Sequence, residues 1–427
     1  MKNKIAVICP PLQGHINPMS VIAYELKQNN RNIFFIGLLD IREYIQEFQF
    51  IPIGTQVFPK NSIPKITKKM ARLKGLRMGR YWQSKFANKW SEIVCEQLPE
   101  ILKHNHIDII ICDQLEAAVA LVADKLKIPF ITVCNAMAIV MDNTIPPFFT
   151  SWSYKTTDTR LNLNEAFYKV ADFILKHDTR ALEEWRKKWD MPTREGMNRY
   201  FAVSPLLTLC QQSPSLEFPR TKINRDWYYC GPFRNSTLSP YPNPNLSNEE
   251  RKFVYVSFGS LLGSRFRLLK KCIKISHHLG LEPVIAHAGL LKKKEVKKLQ
   301  KYAHVYEYVK QPEIFNQCDL LISHCGLNTV LDALSYGRPI LALPIGIEQG
   351  AIATKLKRVG CALIVKRKWK RKIRKTLSEL LSNPEYVKNA LSLKKEIENA
   401  GGEQRALELI EKSLRGKSRG IKGFNFV

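Results

Sequence analysis

The chain has 427 residues, of which 45% are hydrophobic and 25% are charged. Its length exceeds one comfortable hydrophobic core and predicts two or three domains, while its composition excludes a largely disordered or fibrous chain. No apolar run approaches the roughly 20 residues that a membrane-spanning helix needs. The net charge of +29 is unusual. It suggests an anionic partner, either nucleic acid, a membrane surface or a phosphorylated substrate, although a general lysine bias would also explain much of it.

Short apolar runs alternate with helical patterns along the chain, which is typical of βαβ units around a parallel sheet. The first half opens with a strand at 4–9 and a helix at 18–30, whose apolar residues fall on one face. Further strands are predicted at 32–37, 108–112 and 129–133, with a helix at 116–126. The strand candidates of the second half, with helical segments between them, are 253–258, 283–287, 305–308, 320–323, 340–343 and 361–365.

A segment rich in Pro, Asn and Ser, residues 235–245, separates the two series and cannot form a helix or a central strand. We interpret it as part of an interdomain linker. The predicted organisation is an N-terminal domain at 1–234, a linker at 235–250, a C-terminal domain at 251–400, and a C-terminal helix with a basic tail at 401–427. The fold class is α/β, with two βαβ domains facing a central cleft. Open parallel sheets bind ligands beyond the carboxyl ends of their strands, so we expect the site in loops that face this cleft.

The chain ends and the cysteines predict a cytoplasmic location. The apolar run at 5–9 is too short for a signal peptide, and the polar, basic residues 415–427 are not a tail anchor. The ten cysteines are scattered without a Cys-x-x-Cys pair. We interpret them as reduced core residues, and not as a disulfide framework or a zinc site.

The loop after the first strand carries a candidate general base. It contains a single Gly, so it lacks the G-x-G-x-x-G pattern of dinucleotide binding, which argues against a nicotinamide-dependent dehydrogenase. His15 lies just past the strand, on a loop stiffened by prolines, and Asp113 follows the strand at 108–112. If the two strands are neighbours, the carboxylate can accept the Nδ1 proton of His15 and leave Nε2 to remove a hydroxyl proton.

The alternatives are a structural histidine and an aspartate that only caps the next helix. Cys9 and Cys112 sit inside predicted strands, and no serine or cysteine nucleophile suggests itself nearby. We therefore favour a His15–Asp113 dyad that activates a substrate hydroxyl over a covalent mechanism.

The second half contains a candidate phosphate and ribose site. A strand ends at Ser323, Gly326 permits a tight turn, and a helix then begins with Asn328 and Thr329. Helix N-termini attract phosphate through their unpaired N–H groups and their dipole. Asp332 lies two turns after His324 on the same side, where its carboxylate can accept from two vicinal ribose hydroxyls.

Two further loops contribute polar groups. The segment 257–260, which ends at Ser260, forms a second phosphate-sized loop after a strand, and Glu348 with Gln349 would accept from sugar hydroxyls. Each motif alone is also compatible with an ordinary cap or turn. Their joint occurrence indicates a ligand with phosphate, ribose and sugar groups.

These residues carry a resemblance to a known family. The stretch 308–349 resembles the donor-binding signature of the UDP-glycosyltransferase superfamily, family 1, which has the two-domain GT-B fold. The loop at 14–18 is similar to the acceptor-side loop of that family, where the His is the catalytic base and a distant Asp orients it. The matching signature residues are Gln311, 324–329, Asp332, 337–339, Pro344 and 348–349. Within the superfamily, the segments most similar to bacterial zeaxanthin glucosyltransferases are 112–116, 121–124, 128–131, 213–220 and 328–333.

The resemblance implies two Rossmann-like domains and a set of donor contacts. Tyr308 would pack on uracil, Asp332 would bind ribose, and Glu348 with Gln349 would bind the hexose. The diphosphate would meet Ser260, His324, Gly326, Asn328 and Thr329. Tyr308 replaces the Trp frequent in plant members, and Asp332 replaces a Glu with a longer reach. A Gln at position 349 is associated with glucose donors in relatives.

The implied reaction is the inverting transfer of a hexose, glucose first, from a UDP-sugar to a hydroxyl group. The hydroxyl oxygen, deprotonated by His15, would attack the anomeric carbon from the face opposite UDP. The chain has no Asp-x-Asp pair, so no metal site is predicted. No cofactor is expected either, because the UDP-sugar is a substrate.

The expected acceptor is a hydrophobic alcohol, with a hydroxycarotenoid such as zeaxanthin first. Residues 137–154 are rich in apolar and aromatic side chains and predict either a slot for it or ordinary core packing. A macrolide, polyketide or sterol-like acceptor is the alternative within the class. A catalytically silent nucleotide- or lipid-binding protein with the same fold is the alternative from another class.

The basic residues suggest a second partner. Ten Lys or Arg and no acid occur between 48 and 91, and apolar side chains such as Ile66 and Met70 are interspersed. Gly75 and Gly79 weaken this segment as a helix. We expect the basic segment Lys60–Lys89 to contact an anionic membrane surface, placing the protein on the inner face of the membrane. Eight of the ten residues 366–375 are also basic and predict a solvated helix face. No zinc spacing or recognition-helix motif indicates nucleic acid.

Overall fold

The chain forms two parallel β-sheets, each with hydrophobic clusters on both faces. This computed structural model describes residues 3–73, 76–194, 199–221, 226–235, 241–244, 246, 251–259, 265–346, 348–365 and 372–418. The α/β class predicted from the alternating pattern is confirmed.

The first sheet has the order β3-β2-β1-β4-β5-β6-β7, and all its strands are parallel. In register, Val7 pairs with Phe35 on one side and with Ile111 on the other. The strands are β1 (Lys4–Ile8), β2 (Asn32–Gly37), β3 (Gln49–Pro52), β4 (Ile109–Asp113), β5 (Phe130–Cys134), β6 (Thr208–Cys210) and β7 (Trp227–Tyr229).

The second sheet has the order β10-β9-β8-β11-β12-β13 and is likewise parallel. Its central strands β8 and β11 pair Val256 with Ile322. The strands are β8 (Lys252–Ser257), β9 (Leu281–Ala286), β10 (His304–Tyr306), β11 (Cys318–Ser323), β12 (Ile340–Ala342) and β13 (Ala362–Ile364).

The helices connect and cover these strands. In the first half they are α1 (Gln13–Gln28), α2 (Ser62–Met70), α3 (Leu76–Trp82), α4 (Asn88–His104), α5 (Ala117–Leu126), α6 (Asp158–Asp178) and α7 (Arg180–Lys188). In the second half they are α8 (Phe266–His278), α9 (Lys293–Leu299), α10 (Gln311–Gln317), α11 (Leu327–Ser335), α12 (Gln349–Arg358), α13 (Lys372–Ser382), α14 (Glu385–Ala400) and α15 (Gly402–Ser418). A π-helical turn, Gln83–Ala87, joins α3 to α4, and 3₁₀ turns occur at Leu39–Tyr44 and Pro214–Leu216.

One prediction about a helix is wrong. Helix α1 begins at Gln13, five residues before the predicted start at position 18, so His15 lies in its first turn and not on a proline-stiffened loop. Pro18 is inside this helix. Gly79 lies within α3 and does not interrupt it, while Gly75 is outside the described residues.

The last helix returns to the first sheet. Ala406, Leu409 and Ile410 of α15 are buried in the same cluster as Val7 and Met19, which belong to β1 and α1. The chain therefore crosses between the two halves twice, once after β7 and once between α14 and α15. The predicted domain boundaries stay a prediction.

The two crossings lie side by side. The N–H of Gly402 donates to the carbonyl of Cys230 at 2.7 Å. Gly231 and Gly401 have φ angles of +81° and +84°, which only glycine adopts without strain. Among the described residues, no helix combines the length and the apolar character that crossing a bilayer requires.

Candidate active site

Each sheet reverses its strand order at one point, and the candidate site lies where these two points face each other. The first sheet reverses between β1 and β4, and the second between β8 and β11. Ligands of open α/β sheets bind at such reversals, outside the carboxyl ends of the strands. A cleft of about 650 Å³ is present here and is lined by both halves, including His15 from the first and His324 from the second.

The predicted dyad is formed in the cleft. Asp113, the last residue of β4, is 1% exposed, and its Oδ2 lies 2.7 Å from Nδ1 of His15. The amide of Asn135 donates to the same oxygen at 2.7 Å, and the N–H of Leu115 donates to Oδ1 at 2.8 Å. These contacts orient the carboxylate, so Nδ1 of His15 is engaged and Nε2 is left for a substrate.

The charges around His15 increase its basicity. Burial lowers the pKa of His15, but the charge of Asp113 and the hydrogen bond with it outweigh burial and raise the pKa above its usual range. Glu116 interacts electrostatically with both residues of the dyad, and burial raises the pKa of its carboxyl to about 8, although the indole N–H of Trp90 donates to it at 2.8 Å. The charge of Glu116 still adds to the influences that raise the pKa of His15, after those of Asp113 and Glu348.

A proline inside α1 creates a direct link between the halves. Pro18 has no N–H, so the carbonyl of Gly14, four residues earlier, loses its normal helical partner. The side-chain amide of Asn328, from the N-terminus of α11, donates to this carbonyl at 2.8 Å. The residue next to His15 is therefore one hydrogen bond from the N-terminus of α11.

The turn between β11 and α11 has the properties of an anion-binding turn. Cys325 adopts φ of +68°, an uncommon conformation for a residue with a side chain, and Gly326 then precedes the helix. No described side chain caps α11, so its first N–H groups are available to a ligand. Thr329, 7% exposed, lies in this first turn and lines the cleft.

The ring of His324 is wedged between two glycines. A Cβ on Gly259 would lie 2.8 Å from Cε1 of His324, and a Cβ on Gly326 would lie 2.7 Å from its Nε2. Burial lowers the pKa of His324 to about 4. His324 is therefore neutral at physiological pH, and it can donate a hydrogen bond to a phosphate but cannot offer a positive charge.

Asp332 lies in α11 and faces a partner that the sequence did not indicate. Nε of Arg234 donates to Oδ1 of Asp332 at 2.5 Å. The same guanidinium donates to Oδ1 of Asn328 at 3.1 Å and to Oε1 of Gln211 at 2.8 Å. Burial raises the pKa of the Asp332 carboxyl, and Arg234 opposes this shift. The side chains of Asn328 and Asp332 are thus already paired, and Asn328 offers a ligand its backbone N–H.

The predicted aromatic and amide of the donor signature lie at one end of the cleft. Tyr308 stacks on Tyr241 with 4.9 Å between ring centroids and 11° between planes. Gln311 begins α10, and its buried Oε1 has no hydrogen-bond partner among the described residues. Both Tyr308 and Gln311 line the cleft.

Glu348 and Gln349, the residues predicted to bind the hexose, differ in the hydrogen-bonding groups that they present to a ligand. Glu348 lines the cleft, where burial raises the pKa of its carboxyl and the charge of His15 opposes this shift. Oε1 of Gln349 already accepts from the N–H groups of Ile345 and Gly346 at 2.9 and 2.6 Å. Gln349 therefore presents its amide N–H₂ and not an acceptor. Ser260 lies outside the described residues.

The predicted apolar slot at 137–154 is filled. Ile139 and Ile145 are buried, and the space beside Ile145 and Phe148 measures about 10 Å³, enough for no more than a water molecule. Core packing, the alternative, describes this part of the segment better.

Sequence reasoning missed the residues that support the predicted ones. Arg234, Tyr241, Asn135 and Gln13 carry no motif, and their roles depend on partners that are distant in the chain. Glu116 was placed at the start of a predicted helix and in a segment of family resemblance, but no chemical role was assigned to it. In the described part of the chain, no group of three or more His, Cys, Asp or Glu residues could coordinate a metal ion.

Comparisons with known proteins agree with this geometry. The family described as UDP-glucoronosyl and UDP-glucosyl transferase matches residues 42–398. Zeaxanthin glucosyltransferase of Pantoea ananas is 27% identical over 419 residues, covering 96% of this chain and 95% of that protein. The enzyme of the same name from Pseudescherichia vulneris is 27% identical over 421 residues, covering 96% and 98%. The crystal structure of the glycotransferase of kitacinnamycin aligns with a TM-score of 0.76 at 18% identity, covering 97% and 100%.

The two facing sheets and the cleft between them define the GT-B fold class. The chain belongs to the UDP-glucoronosyl and UDP-glucosyl transferase family, as the resemblance of its donor signature predicted. It is an enzyme of this class, and the alternative of a catalytically silent binding protein is set aside.

Proposed function

We propose that this protein transfers a hexose, most simply glucose, from a UDP-sugar to the hydroxyl of a hydrophobic alcohol, with inversion and without a metal. The observation that carries the proposal is the His15–Asp113 pair, 2.7 Å apart, in the same cleft as the N-terminus of α11, which no described side chain caps. A base and an anion-binding turn in one cleft match the two needs of hexose transfer from a nucleotide sugar. The acceptor must be deprotonated, and the leaving diphosphate must be stabilised.

The reaction then proceeds as a single displacement. Nε2 of His15 takes the proton of the acceptor hydroxyl while its oxygen attacks the anomeric carbon. The bond from that carbon to the diphosphate oxygen breaks, and UDP leaves with the electron pair. Asp113 stabilises the imidazolium that forms. The backbone N–H groups of α11 and a donor nitrogen of neutral His324 stabilise the leaving phosphate.

The nucleoside would be recognised at the far end of the cleft. Tyr308 supplies an aromatic face for the base, and Gln311 lines the cleft near it. One oxygen of Asp332 is bound to Arg234, so its second oxygen would accept from the ribose hydroxyls.

Similarity to the two zeaxanthin glucosyltransferases supports a hydroxycarotenoid as the acceptor and UDP-glucose as the donor. All ten cysteines are free and buried, which is consistent with work in a reducing compartment such as the cytoplasm.

The test is incubation with UDP-glucose and a panel of lipophilic alcohols that contains a hydroxycarotenoid, a macrolide and a sterol. Mass spectrometry should show a hexose gain on the hydroxycarotenoid. His15→Ala should reduce the rate by about 10²–10⁴-fold, while His104→Ala, at an exposed histidine, should not. Undiminished transfer by His15→Ala would refute the assigned base, and a gain on the macrolide or sterol alone would refute the acceptor.

We also propose that the protein docks on an anionic membrane from which it takes its acceptor. The basic segment Lys60–Lys89 exposes Lys65, Lys68 and Lys69. Met70 is buried and Ile66 packs against the core, so these two side chains are not available for insertion. Exposed apolar side chains lie instead on α6, where Val170 is 54% and Phe173 is 78% exposed.

Liposome flotation tests this docking. Binding to vesicles with phosphatidylglycerol should exceed binding to phosphatidylcholine vesicles and should decrease as salt is raised. Replacing Lys65, Lys68 and Lys69 by Gln should weaken it, whereas the same replacement at Lys293, Lys297 and Lys298 of α9 serves as the matched control. Flotation that ignores lipid charge would contradict the proposal.

A further inference from the structure

A tyrosine of the interdomain linker covers the aromatic wall of the nucleoside end of the cleft. Tyr241 lies nearly parallel to Tyr308, with ring centroids 4.9 Å apart. Tyr308 lies in the second half of the chain, whereas Tyr241 lies in the linker before it. The proposed mechanism assigns no role to Tyr241.

Two hydrogen bonds keep this linker residue in position. Nε2 of Gln13, the first residue of α1, donates to the hydroxyl of Tyr241 at 3.1 Å and to that of Tyr44 at 3.2 Å. The next linker residue, Pro242, accepts at its carbonyl from the N–H of Lys310 at 3.0 Å. The ring of Tyr241 is therefore bound both to the first half of the molecule and to the segment that carries Tyr308.

The spacing of the two rings excludes a sandwich with a base between them. A planar group between two rings needs about 3.5 Å on either side, or about 7 Å in total. The observed 4.9 Å leaves no room, so a base can stack on this face of Tyr308 only if Tyr241 moves away.

We propose that Tyr241 is an internal occupant of the base subsite, which the donor nucleotide displaces when it binds. This inference rests on the proposed function, because it takes Tyr308 as the platform for the nucleobase. A uridine ring would replace the phenol ring on Tyr308, and the hydroxyl of Tyr241 would leave the amide of Gln13. Donor binding is thereby coupled to movement of the linker that joins the two halves.

The state in which Tyr241 covers Tyr308 lowers the apparent affinity of the protein for every ligand that contains the base. The measured Kd equals the intrinsic Kd divided by the fraction of molecules in which the platform is free. The stacking free energy of an aromatic pair corresponds to a roughly threefold to tenfold effect on this fraction. Ligands without a base should not be affected.

Titration calorimetry with UDP, uridine and pyrophosphate tests the proposal on the full-length chain. Tyr241→Ala should lower the Kd of UDP and uridine by roughly threefold to tenfold and leave pyrophosphate binding unchanged. Tyr241→Phe keeps the ring but loses the bond from Gln13, so its effect should be smaller. Tyr302→Ala, at a tyrosine that is 61% exposed, is the matched control and should bind all three ligands like the wild type.

The outcomes separate this inference from the proposed function. If the wild type binds UDP and Tyr241→Ala binds it equally well or more weakly, the displacement is refuted while the donor site stands. If neither the wild type nor Tyr241→Ala binds UDP, the donor assignment itself is refuted. A thermal unfolding scan of each variant shows whether a loss of binding reflects loss of the fold.

Discussion

His15 shows how much the chemistry of one residue depends on its neighbours. Burial alone would lower its pKa and weaken it as a base, but Asp113 reverses the direction of the shift. For His324, in the same cleft, burial dominates, a backbone hydrogen bond with Ser257 opposes it only in part, and the pKa is lowered to about 4. The two histidines are therefore suited to different tasks, proton removal for His15 and neutral hydrogen-bond donation for His324.

This difference predicts the pH dependence of activity. His15 must be neutral to remove a proton, so kcat/KM should rise with pH through its pKa, which Asp113 raises above the usual range of histidine. In Asp113→Asn the main raising influence is lost, and the acidic limb of the profile should move to lower pH. The maximum should fall by roughly 10²-fold, since an amide donates to Nδ1 and places the ring proton on Nε2.

A pH profile of kcat/KM for both proteins measures the shift and the loss together. Asp190→Asn, at an exposed aspartate, should reproduce the wild-type profile. An acidic limb that stays in place in Asp113→Asn would mean that another group titrates.

At this scale the sequence predicted the principal side chains but not their partners. His15, Asp113, His324 and Gly326 were found because their residue types and strand-end positions imply a chemistry. Arg234 could not be found, because its three side-chain partners lie 23, 94 and 98 residues away.

Among the elements, α1 shows how a local irregularity serves a distant contact. Pro18 deprives the carbonyl of Gly14 of its helical partner, and Asn328 takes that place from the other half of the molecule. A regular helix would keep this carbonyl for itself. The proline that interrupts the helical ladder therefore creates an acceptor for the donor-side helix.

A double-mutant cycle measures this dependence. Asn328→Ala should lower the free energy of unfolding by about 1–3 kcal/mol, because the carbonyl of Gly14 and the guanidinium of Arg234 each lose a partner. In the Pro18→Ala background the restored N–H satisfies that carbonyl, so the same substitution should cost less, with a coupling of about 0.5–1.5 kcal/mol. Urea titrations of the four proteins give the values, and strictly additive effects would contradict the proposed exchange of partners.

The strand pattern was predicted within about two residues for the strands at the centre of each sheet, where buried apolar runs are long. The strands missed are β3, β6 and β7, which have four, three and three residues. Length alone does not explain the misses, because β10, β12 and β13 also have three residues and were predicted. The pairing of such short strands is decided by neighbours already in the sheet. The start of α1 was misplaced because prolines normally indicate a loop.

For the whole molecule, a buried charge cluster joins the two halves. Glu217 accepts from Arg220 at 2.9 Å and forms a short ion pair with Lys355 of α12. All three side chains are almost completely buried. Burial lowers the pKa of Lys355 to about 8, and Glu217 opposes this shift. Glu217 is thus the common partner of two buried cations.

Because Glu217 pairs with two cations and Lys355 with one anion, substitutions at these two residues should change the free energy of unfolding by different amounts. Glu217→Gln leaves two buried cations without a counter-charge and should lower the free energy of unfolding by about 3–5 kcal/mol. Lys355→Met leaves the pair of Glu217 with Arg220 intact and removes a desolvated ammonium, so its cost should be small. Urea midpoints decide the order, and Glu398→Gln, on an exposed glutamate, is the control. Equal losses for the two variants would contradict the central role of Glu217.

The paired crossings at Gly231 and Gly401 have a mechanical consequence. A domain joined by one connection can rotate about any axis. Two adjacent connections act as a hinge and restrict the rotation to a single axis. We therefore expect the two halves of this enzyme to open and close by rotation about one hinge axis. Each closure would then return the imidazole of His15 to the same position relative to the sugar. The chain connectivity would thus align the base with its substrate in every catalytic cycle.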